Sequence, residues 1–271
     1  MERSAAIIEL RGWLGTPPGR YLLDWEQDCI DQAVSDIFGY HALQMGLPEL
    51  DGLRANRMPH RWLAGGGVGP RPRRVAPLGG NGAFAAPPEV AAGLRCDAEA
   101  LPFPSNSLDL IVMPHTLELA HDPHVALAEA ARVLMPEGRL VIAGFNPASL
   151  WGLRRRFGRK GRDPKTADDR LFLPSSGEFI GYWRLRDWLR LLSFEIEVGR
   201  FGCYRPLWTS EKWLARAAWM DRIGDRWWPV LGAVYFLVAV RRVRGMRLIG
   251  KVRRERIKAS GAPAVVANRK R

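Results

Sequence analysis

Two apolar runs separated by one amphipathic segment constrain the fold of this 271-residue chain more than any other feature. The runs are LDLIVMPH (108–115) and RLVIAGFNP (139–147), and continuous apolar character is typical of strands that are buried on both faces of a sheet. Between them, DPHVALAEAARVL (122–134) repeats apolar residues every three or four positions, with Asp122 placed as a cap and Pro123 in the first turn. A strand, a helix and a strand at this spacing predict a βαβ unit, and therefore a parallel sheet.

Flanking segments continue the alternation of helix and strand. Before the βαβ unit, the apolar periodicity predicts a helix at 22–38, a strand in 40–48 with a turn at its end, a second short strand at 60–66, and a strand followed by a loop in 93–103. After the unit, the pattern predicts a helix at 182–192, a strand at 194–202, a helix at 209–228 and a last strand at 232–243. Residues 65–82 are rich in Gly, Pro and Arg, which indicates a loop.

The positive charge of the chain is concentrated in two segments. The net charge is +13, of which residues 241–271 carry +11 and residues 151–170 carry +5, so the remainder carries −3. We therefore expect a nearly neutral folded body, a basic loop at 152–170 and a basic, disordered tail at 244–271. Such segments attract RNA, DNA or anionic lipid without reading a sequence, although a solvated tail that aids solubility is an equally ordinary role.

Two further observations bear on the compartment and on metals. The run WWPVLGAVYFLVAV (227–240) has 14 residues and contains Pro229, whereas a spanning helix needs about 20 apolar residues, so a buried strand is predicted and no transmembrane segment. Cys29, Cys96 and Cys203 lie far apart, which argues against a disulfide framework and against a zinc site. The N-terminus lacks the apolar core of a signal peptide. A reduced, cytoplasmic location and no bound metal are the expectations.

The segment 96–147 carries a recognisable series of motifs. An Asp-Ala pair (97–98) precedes Leu-Pro-Phe (101–103), and then come the first apolar run, the acid-capped helix, the turn RVLMPEG (132–138) and the second run. In this order and spacing the segment closely resembles the signature half of class I S-adenosylmethionine-dependent methyltransferases of the type 11 kind. A weaker resemblance extends over 184–197 and 232–243.

The resemblance implies an α/β, Rossmann-like fold, with a seven-stranded, mostly parallel sheet and helices on both faces. We expect one methyltransferase-like domain over residues 1–243. In the family, S-adenosylmethionine binds at the carboxyl ends of the first strands, which is the general position for ligands of open α/β sheets.

Site residues follow from the same resemblance. Asp97 matches the acid that accepts a hydrogen bond from the adenine amino group, and the backbone of Ala98 reaches the same ring. Met113 and His115 match positions that face cofactor and substrate at the end of the fourth strand, and His115 is also the candidate general base. Gly46 matches the first glycine of the cofactor loop. The histidines at 115, 121 and 124 do not have a convincing metal-ligand spacing.

The cofactor loop itself departs from the family pattern Gly-x-Gly-x-Gly after an acid. In ALQMGLPEL (42–50), Gln44 stands at the position of the acid, and Pro48 and Leu50 replace the second and third glycines. Glycine allows the backbone amides to approach the methionine carboxylate closely, and proline has no amide hydrogen to donate. No residue of the chain matches the acid that binds the ribose hydroxyls.

Three functions remain open on these grounds. The first is a methyltransferase that uses S-adenosylmethionine and acts on a small or lipid-like molecule. The second is a non-catalytic methyltransferase-like binding protein, since a fold does not fix a function. The third is an RNA-directed methyltransferase that binds nucleic acid through the basic loop and tail. An anionic membrane surface is a further partner that those two basic segments would attract.

Overall fold

The computed structural model describes residues 2–65, 91–158, 179–206 and 210–242. In chain order the strands are β1 (His41–Met45), β2 (His60–Ala64), β3 (Ala91–Leu94), β4 (Leu108–Pro114), β5 (Leu134–Phe145), β6 (Phe194–Gly202) and β7 (Val234–Arg241). The helices are α1 (Glu2–Leu14), α2 (Pro17–Val34), α3 (Thr116–Leu119), α4 (Pro123–Val133), α5 (Leu150–Gly158), α6 (Tyr182–Leu191), α7 (Glu211–Arg216) and α8 (Trp219–Trp227). A single 3-10 turn, Pro229–Leu231, connects α8 to β7.

All seven strands form one sheet in the order β3-β2-β1-β4-β5-β7-β6. The first five are parallel to one another, and β7 is antiparallel to both of its neighbours. The strand order reverses between β1 and β4, which is where an open α/β sheet forms its ligand crevice. The structure thus confirms the predicted Rossmann-like, seven-stranded, mostly parallel sheet.

Each face of the sheet has its own apolar cluster, because side chains of a strand alternate between the two faces. On one face, Leu110, Val112 and Phe236 pack with residues of α1 and α2 and of the segment after β1. On the opposite face, Ile111 and Met113 pack against α4 and α6. The sheet is therefore covered on both sides, as its apolar strands predict.

Capping residues explain where two of the main helices begin. Asp122 accepts hydrogen bonds from the amides of His124 and Val125, and Pro123 occupies the first position of α4. Thr16 caps α2, where its hydroxyl accepts a hydrogen bond from the amide of Gly19. The predicted start of α4 is thereby confirmed, whereas α2 begins five residues before the predicted helix at 22–38.

Three sequence predictions need correction. The predicted helix at 209–228 is two helices, α7 and α8, that are separated at Ala217 and Ala218. The predicted basic loop at 152–170 begins as helix, because α5 continues to Gly158. The predicted turn at 135–138 lies within β5, which runs from Leu134 with an irregular register against β4. In addition, α1 was not predicted.

Other expectations fall on parts of the chain that the structure does not describe. Residues 66–90, the rest of the basic loop from 159, and the tail from 243 lie outside the described residues.

The predicted last strand at 232–243 is confirmed as β7, most of which lies in the apolar run 227–240. Among the described residues no helix is both long and apolar enough to cross a membrane.

Candidate functional site

The carboxyl ends of the parallel strands bring four of the five predicted site residues to one edge of the sheet. Gly46 directly follows β1, Asp97 and Ala98 follow β3, and His115 directly follows β4. The fifth, Met113, lies within β4 and is fully buried in the same apolar cluster as Ala98. These residues therefore lie at the carboxyl edge of the sheet, where the family resemblance implies the cofactor site.

The loop after β3 presents the acid of the Asp-Ala pair. The Asp97 side chain is exposed, while Ala98 is buried against the sheet. Glu99 attaches this loop to the start of α4, because its carboxylate accepts hydrogen bonds from the amides of His121 and Asp122. An exposed carboxylate next to a buried small residue, at a strand end, suits recognition of the polar edge of a planar ring. These two residues fit the adenine end of the cofactor.

Gly46 is required by close packing against the end of β4. Its φ of +92° lies in the left-handed region, which favours glycine. A Cβ at this position would lie 2.6 Å from Oγ1 of Thr116 and 2.8 Å from the carbonyl oxygen of Pro114. The Gly46 amide donates to the carbonyl of Ala64 at 3.1 Å. The space that this glycine leaves is therefore occupied by protein atoms, and its amide is used by β2.

The segment after Gly46 is held by Gln44, which is buried in β1. Its side-chain amide donates to the carbonyl oxygens of Leu47 and Leu50, at 2.9 and 2.7 Å, and its side-chain oxygen accepts from the amide of Gly52 at 2.8 Å. Leu47 and Leu50 are themselves buried in the apolar cluster beneath α1 and α2. Gln44 thus stabilises a compact loop in which apolar side chains replace glycines.

This loop does not fit the methionine end of the cofactor in the manner of the family. The second glycine is replaced by Pro48, which provides no amide hydrogen, and the third by buried Leu50. The residues at the end of β2 are Ala64 and Gly65, so this position carries no carboxylate for ribose hydroxyls. Within the described residues, the fit is therefore confined to Asp97 and Ala98, with Met113 fully buried in the apolar cluster that contains Ala98.

His115 lies in the core rather than at an open surface. It is fully buried and adopts a left-handed backbone conformation with φ of 51°. Its Nε2 is 2.8 Å from Oε1 of Glu26, on α2, and its Nδ1 is 2.8 Å from Oε2 of Glu118, on α3. Glu118 also accepts a hydrogen bond from the amide of Phe145, at the end of β5. We call these three side chains the Glu26–His115–Glu118 cluster.

Electrostatics in this cluster favour a charged imidazole. Burial on its own would lower the pKa of His115, but the two carboxylates, Glu26 foremost, outweigh burial and raise that pKa to about 10. At neutral pH His115 is therefore charged, and its two ion pairs link the end of β4 to α2 and to α3. Both ring nitrogens are engaged, so this histidine has no lone pair with which to accept a proton from an acceptor molecule. Its environment differs from that of the general base suggested by its place after the strand.

The remaining polar residues singled out in the sequence have structural partners. Arg132 pairs with Glu129 and also donates to the carbonyls of Leu101 and Phe103, which secures the loop after β3. Asp109 accepts from the amides of Tyr40 and His41. The ring of His124 lies against Trp188, and no group of metal-ligating side chains occurs among the described residues. What the sequence did not reveal was Glu26, which lies 89 residues before its partner.

Part of the sequence and the overall fold are similar to those of known proteins. Residues 82–142 match the family model described as a methyltransferase domain. The fold is similar to that of a chain in the complex between the Haloferax volcanii Trm112 methyltransferase activator and a methyltransferase. That likeness has a TM-score of 0.55 and 14% identity, and covers 91% of this chain and 100% of that chain. Over residues 82–142 the chain is thus similar to a methyltransferase domain, and its strand order agrees with the fold of such domains.

Three curated proteins are each similar in sequence to part of this chain. An uncharacterized protein of Escherichia coli, YafS, is 40% identical over 103 residues, which cover 38% of this chain and 39% of the relative. The ubiquinone/menaquinone biosynthesis C-methyltransferase of Paraburkholderia phytofirmans is 42% identical over 57 residues, 21% of this chain and 24% of the relative. The malonyl-[acyl-carrier protein] O-methyltransferase of Halorhodospira halophila is 41% identical over 63 residues, 22% of this chain and 21% of the relative. The matched segments span less than half the length of these relatives.

Proposed function

We propose that this protein is a methyltransferase that uses S-adenosylmethionine and acts on a small or lipid-like molecule. The observation that supports the proposal is that exposed Asp97 and buried Ala98 follow β3 at the carboxyl edge of the sheet, within the segment that matches the methyltransferase family model. The cofactor is the one that this class of domain implies. The relatives named for ubiquinone/menaquinone and for malonyl-acyl carrier protein suggest the class of acceptor.

Named residues have distinct roles in this proposal. The Asp97 carboxylate would accept a hydrogen bond from the adenine amino group, the Ala98 backbone would contact the ring, and Met113 would form the apolar wall beneath it. When bound, the cofactor would supply a methyl group from its sulfonium: the acceptor's nucleophilic atom would gain the methyl group, and the sulfur would leave as a neutral thioether. The protein then has mainly to orient the acceptor and exclude water. His115 stabilises the strand end and abstracts no proton.

A second candidate function is a non-catalytic binding protein that keeps the methyltransferase scaffold. The observation that favours it is the compact loop after β1, in which the Gln44 side chain uses the carbonyls of Leu47 and Leu50. With Pro48 in the same loop, the methionine carboxylate would have fewer amides to bind than in the family. The two functions make opposite predictions about cofactor affinity.

Calorimetric titration of the purified protein with S-adenosylmethionine and S-adenosylhomocysteine separates the two functions. We expect micromolar binding that becomes about ten- to hundredfold weaker in Asp97→Ala, because a hydrogen bond to a charged group is lost. Asp187→Ala, which removes an exposed acid on α6, is the matched control and should bind normally. Absence of binding at millimolar ligand by a folded protein would contradict the methyltransferase proposal and favour the non-catalytic scaffold.

A further inference from the structure

Helix α8 turns an apolar stripe toward solvent. Trp219, Ile223 and Trp227 are spaced four residues apart and therefore lie on one face of the helix. Trp219 is 60% exposed and Trp227 is 69% exposed, so this stripe contributes little to the core. The adjoining face bears Gly224, which is buried so close to Tyr204 that an added Cβ would meet its ring. An apolar stripe on the outer face of a helix reverses the usual pattern of a surface helix.

Neighbouring elements extend this stripe into a patch. Trp213 on α7 is more than half exposed, and directly after α8 come three further exposed apolar residues, Trp228, Val230 and Leu231. We call the exposed apolar side chains of residues 213–231 the tryptophan patch. Exposed apolar side chains grouped in this way in one short segment often mark a surface that another body covers.

Basic residues line the same surface. Arg222 and Arg226 are exposed, and they directly precede Ile223 and Trp227 of the stripe in the sequence. The guanidinium carbon of Arg216 lies 5.0 Å from the centroid of the Trp213 ring. The acids of the segment are mostly paired within the protein: Asp221 with Arg205, and Glu211 with Arg20. Exposed Asp225 is left as the acid nearest the arginines of α8. The patch is thus apolar at its centre and basic along its side.

The patch is held firmly at the ligand edge of the sheet. Asn146, which directly follows β5, is buried and donates to the carbonyls of Val230 and Gly232 at 2.7 and 2.9 Å. On the other side, Tyr21 of α2 donates to the Asp221 carboxylate at 2.5 Å. The tryptophans are therefore presented by a rigid base beyond the same strand ends where Asp97 and Ala98 lie.

We propose that the tryptophan patch docks on the surface of an anionic phospholipid bilayer. Tryptophan rings prefer the boundary between headgroups and acyl chains, and arginines beside them attract anionic headgroups while their stems stay apolar. Tryptophan and arginine are also enriched at protein interfaces, so a protein partner is the outcome that absent flotation would favour. The docking requires no cofactor, and it does not depend on methyl transfer.

Vesicle flotation tests the proposal with the full chain and no cofactor present. We expect the protein to float with vesicles of phosphatidylcholine mixed with phosphatidylglycerol, and much less with phosphatidylcholine alone. Replacing both Arg222→Gln and Arg226→Gln should lower the partition coefficient about thirtyfold, since each basic residue near an anionic surface contributes about fivefold. The matched control replaces two exposed arginines of α6, Arg184→Gln and Arg190→Gln, and should float like the wild type.

A second pair of variants tests the apolar contribution. Trp219→Ser with Trp227→Ser should lose at least about tenfold in partition, whereas Trp183→Ser, at an exposed tryptophan of α6, should not. The altered side chains are exposed, and circular dichroism verifies that each variant is folded. Flotation that is equal in patch and control variants would overturn the proposal and assign binding to another segment. A wild-type dimer that dissociates in the tryptophan variant, without flotation of either, would overturn it in favour of a second copy.

Discussion

His115 shows how one side chain connects distant parts of this fold. Its position after β4 places it at the ligand edge, yet its two hydrogen bonds fix it between α2 and α3. Without the imidazolium, the carboxylates of Glu26 and Glu118 would leave uncompensated negative charge in the core. The cluster therefore has a structural role, which stabilises the end of β4 in a left-handed conformation.

Replacing His115→Asn tests that role. Asparagine tolerates the left-handed backbone, but it removes the positive charge, and we expect a loss of about 3–5 kcal/mol in the free energy of unfolding at pH 6 to 7. Urea denaturation followed by circular dichroism measures this loss. An unchanged denaturation midpoint would contradict an ionic cluster.

The same variant predicts a dependence on pH. Since the folded-state pKa of His115 is raised to about 10, the stabilisation by its charge is complete below the unfolded value of about 6.5 and is lost as pH rises toward 10. The difference in stability between wild type and His115→Asn should therefore shrink over that window. Burial also raises the pKa of Cys203 and Tyr235, but both residues are present in both proteins and cancel in the difference.

At the scale of elements, the loop after β1 is determined by one glutamine. The sequence places Gln44 where the family has an acid, and the structure shows why an amide is needed there. Its nitrogen donates to two carbonyls, which a carboxylate cannot do.

Gln44→Glu should therefore destabilise the protein although it restores the family residue. We expect a loss of about 1–3 kcal/mol at neutral pH, because two buried carbonyls lose their donor and face a negative charge. The loss should be smaller at pH 4, where a protonated carboxyl can donate once. Thermal unfolding at the two pH values measures both effects, and Asp51→Asn, which exchanges the same two functional groups at an exposed position in the same segment, is the control.

The break between α7 and α8 illustrates what local sequence cannot predict. The segment 209–228 has helical periodicity throughout, but Arg205 donates to the carbonyl of Leu214, which a continuous helix would use for the amide of Ala218. That amide instead bonds to Ala215, three residues back. A competing donor from outside the helix ends it, and no pattern within the helix reveals the competitor.

At the scale of the whole molecule, the strands and helix α4 were predictable because apolar runs and caps are local signals, whereas the seven-stranded, mostly parallel sheet followed from the family resemblance. The buried partners of His115 were not, since Glu26 and Glu118 come together only when α2 packs on the finished sheet. Likewise, the sequence identified the altered cofactor loop but not the leucine packing that supports it.

Helix α1 contributes to this packing from the N-terminal side. Leu10, Trp13 and Leu14 are buried, Trp13 meets Phe145 edge to face at 5.7 Å, and Arg11 pairs with Glu49 of the loop after β1. Removing residues 2–14 should lower the free energy of unfolding by at least about 4 kcal/mol, since each large buried apolar side chain contributes about 1.5–3 kcal/mol. Guanidinium denaturation measures this, and equal stability of the shortened chain would show that α1 is dispensable.

The place of β7 has a consequence for synthesis on the ribosome. Although β7 comes after all the other described strands, it lies inside the sheet, with β5 on one side and β6 on the other. Until residues 234–241 have left the exit tunnel, a nascent chain carries two unpaired strand edges, which are templates for aggregation. β7 therefore joins the sheet after the other described strands have been synthesised. Until then, the edges of β5 and β6 have to be kept from pairing with other chains.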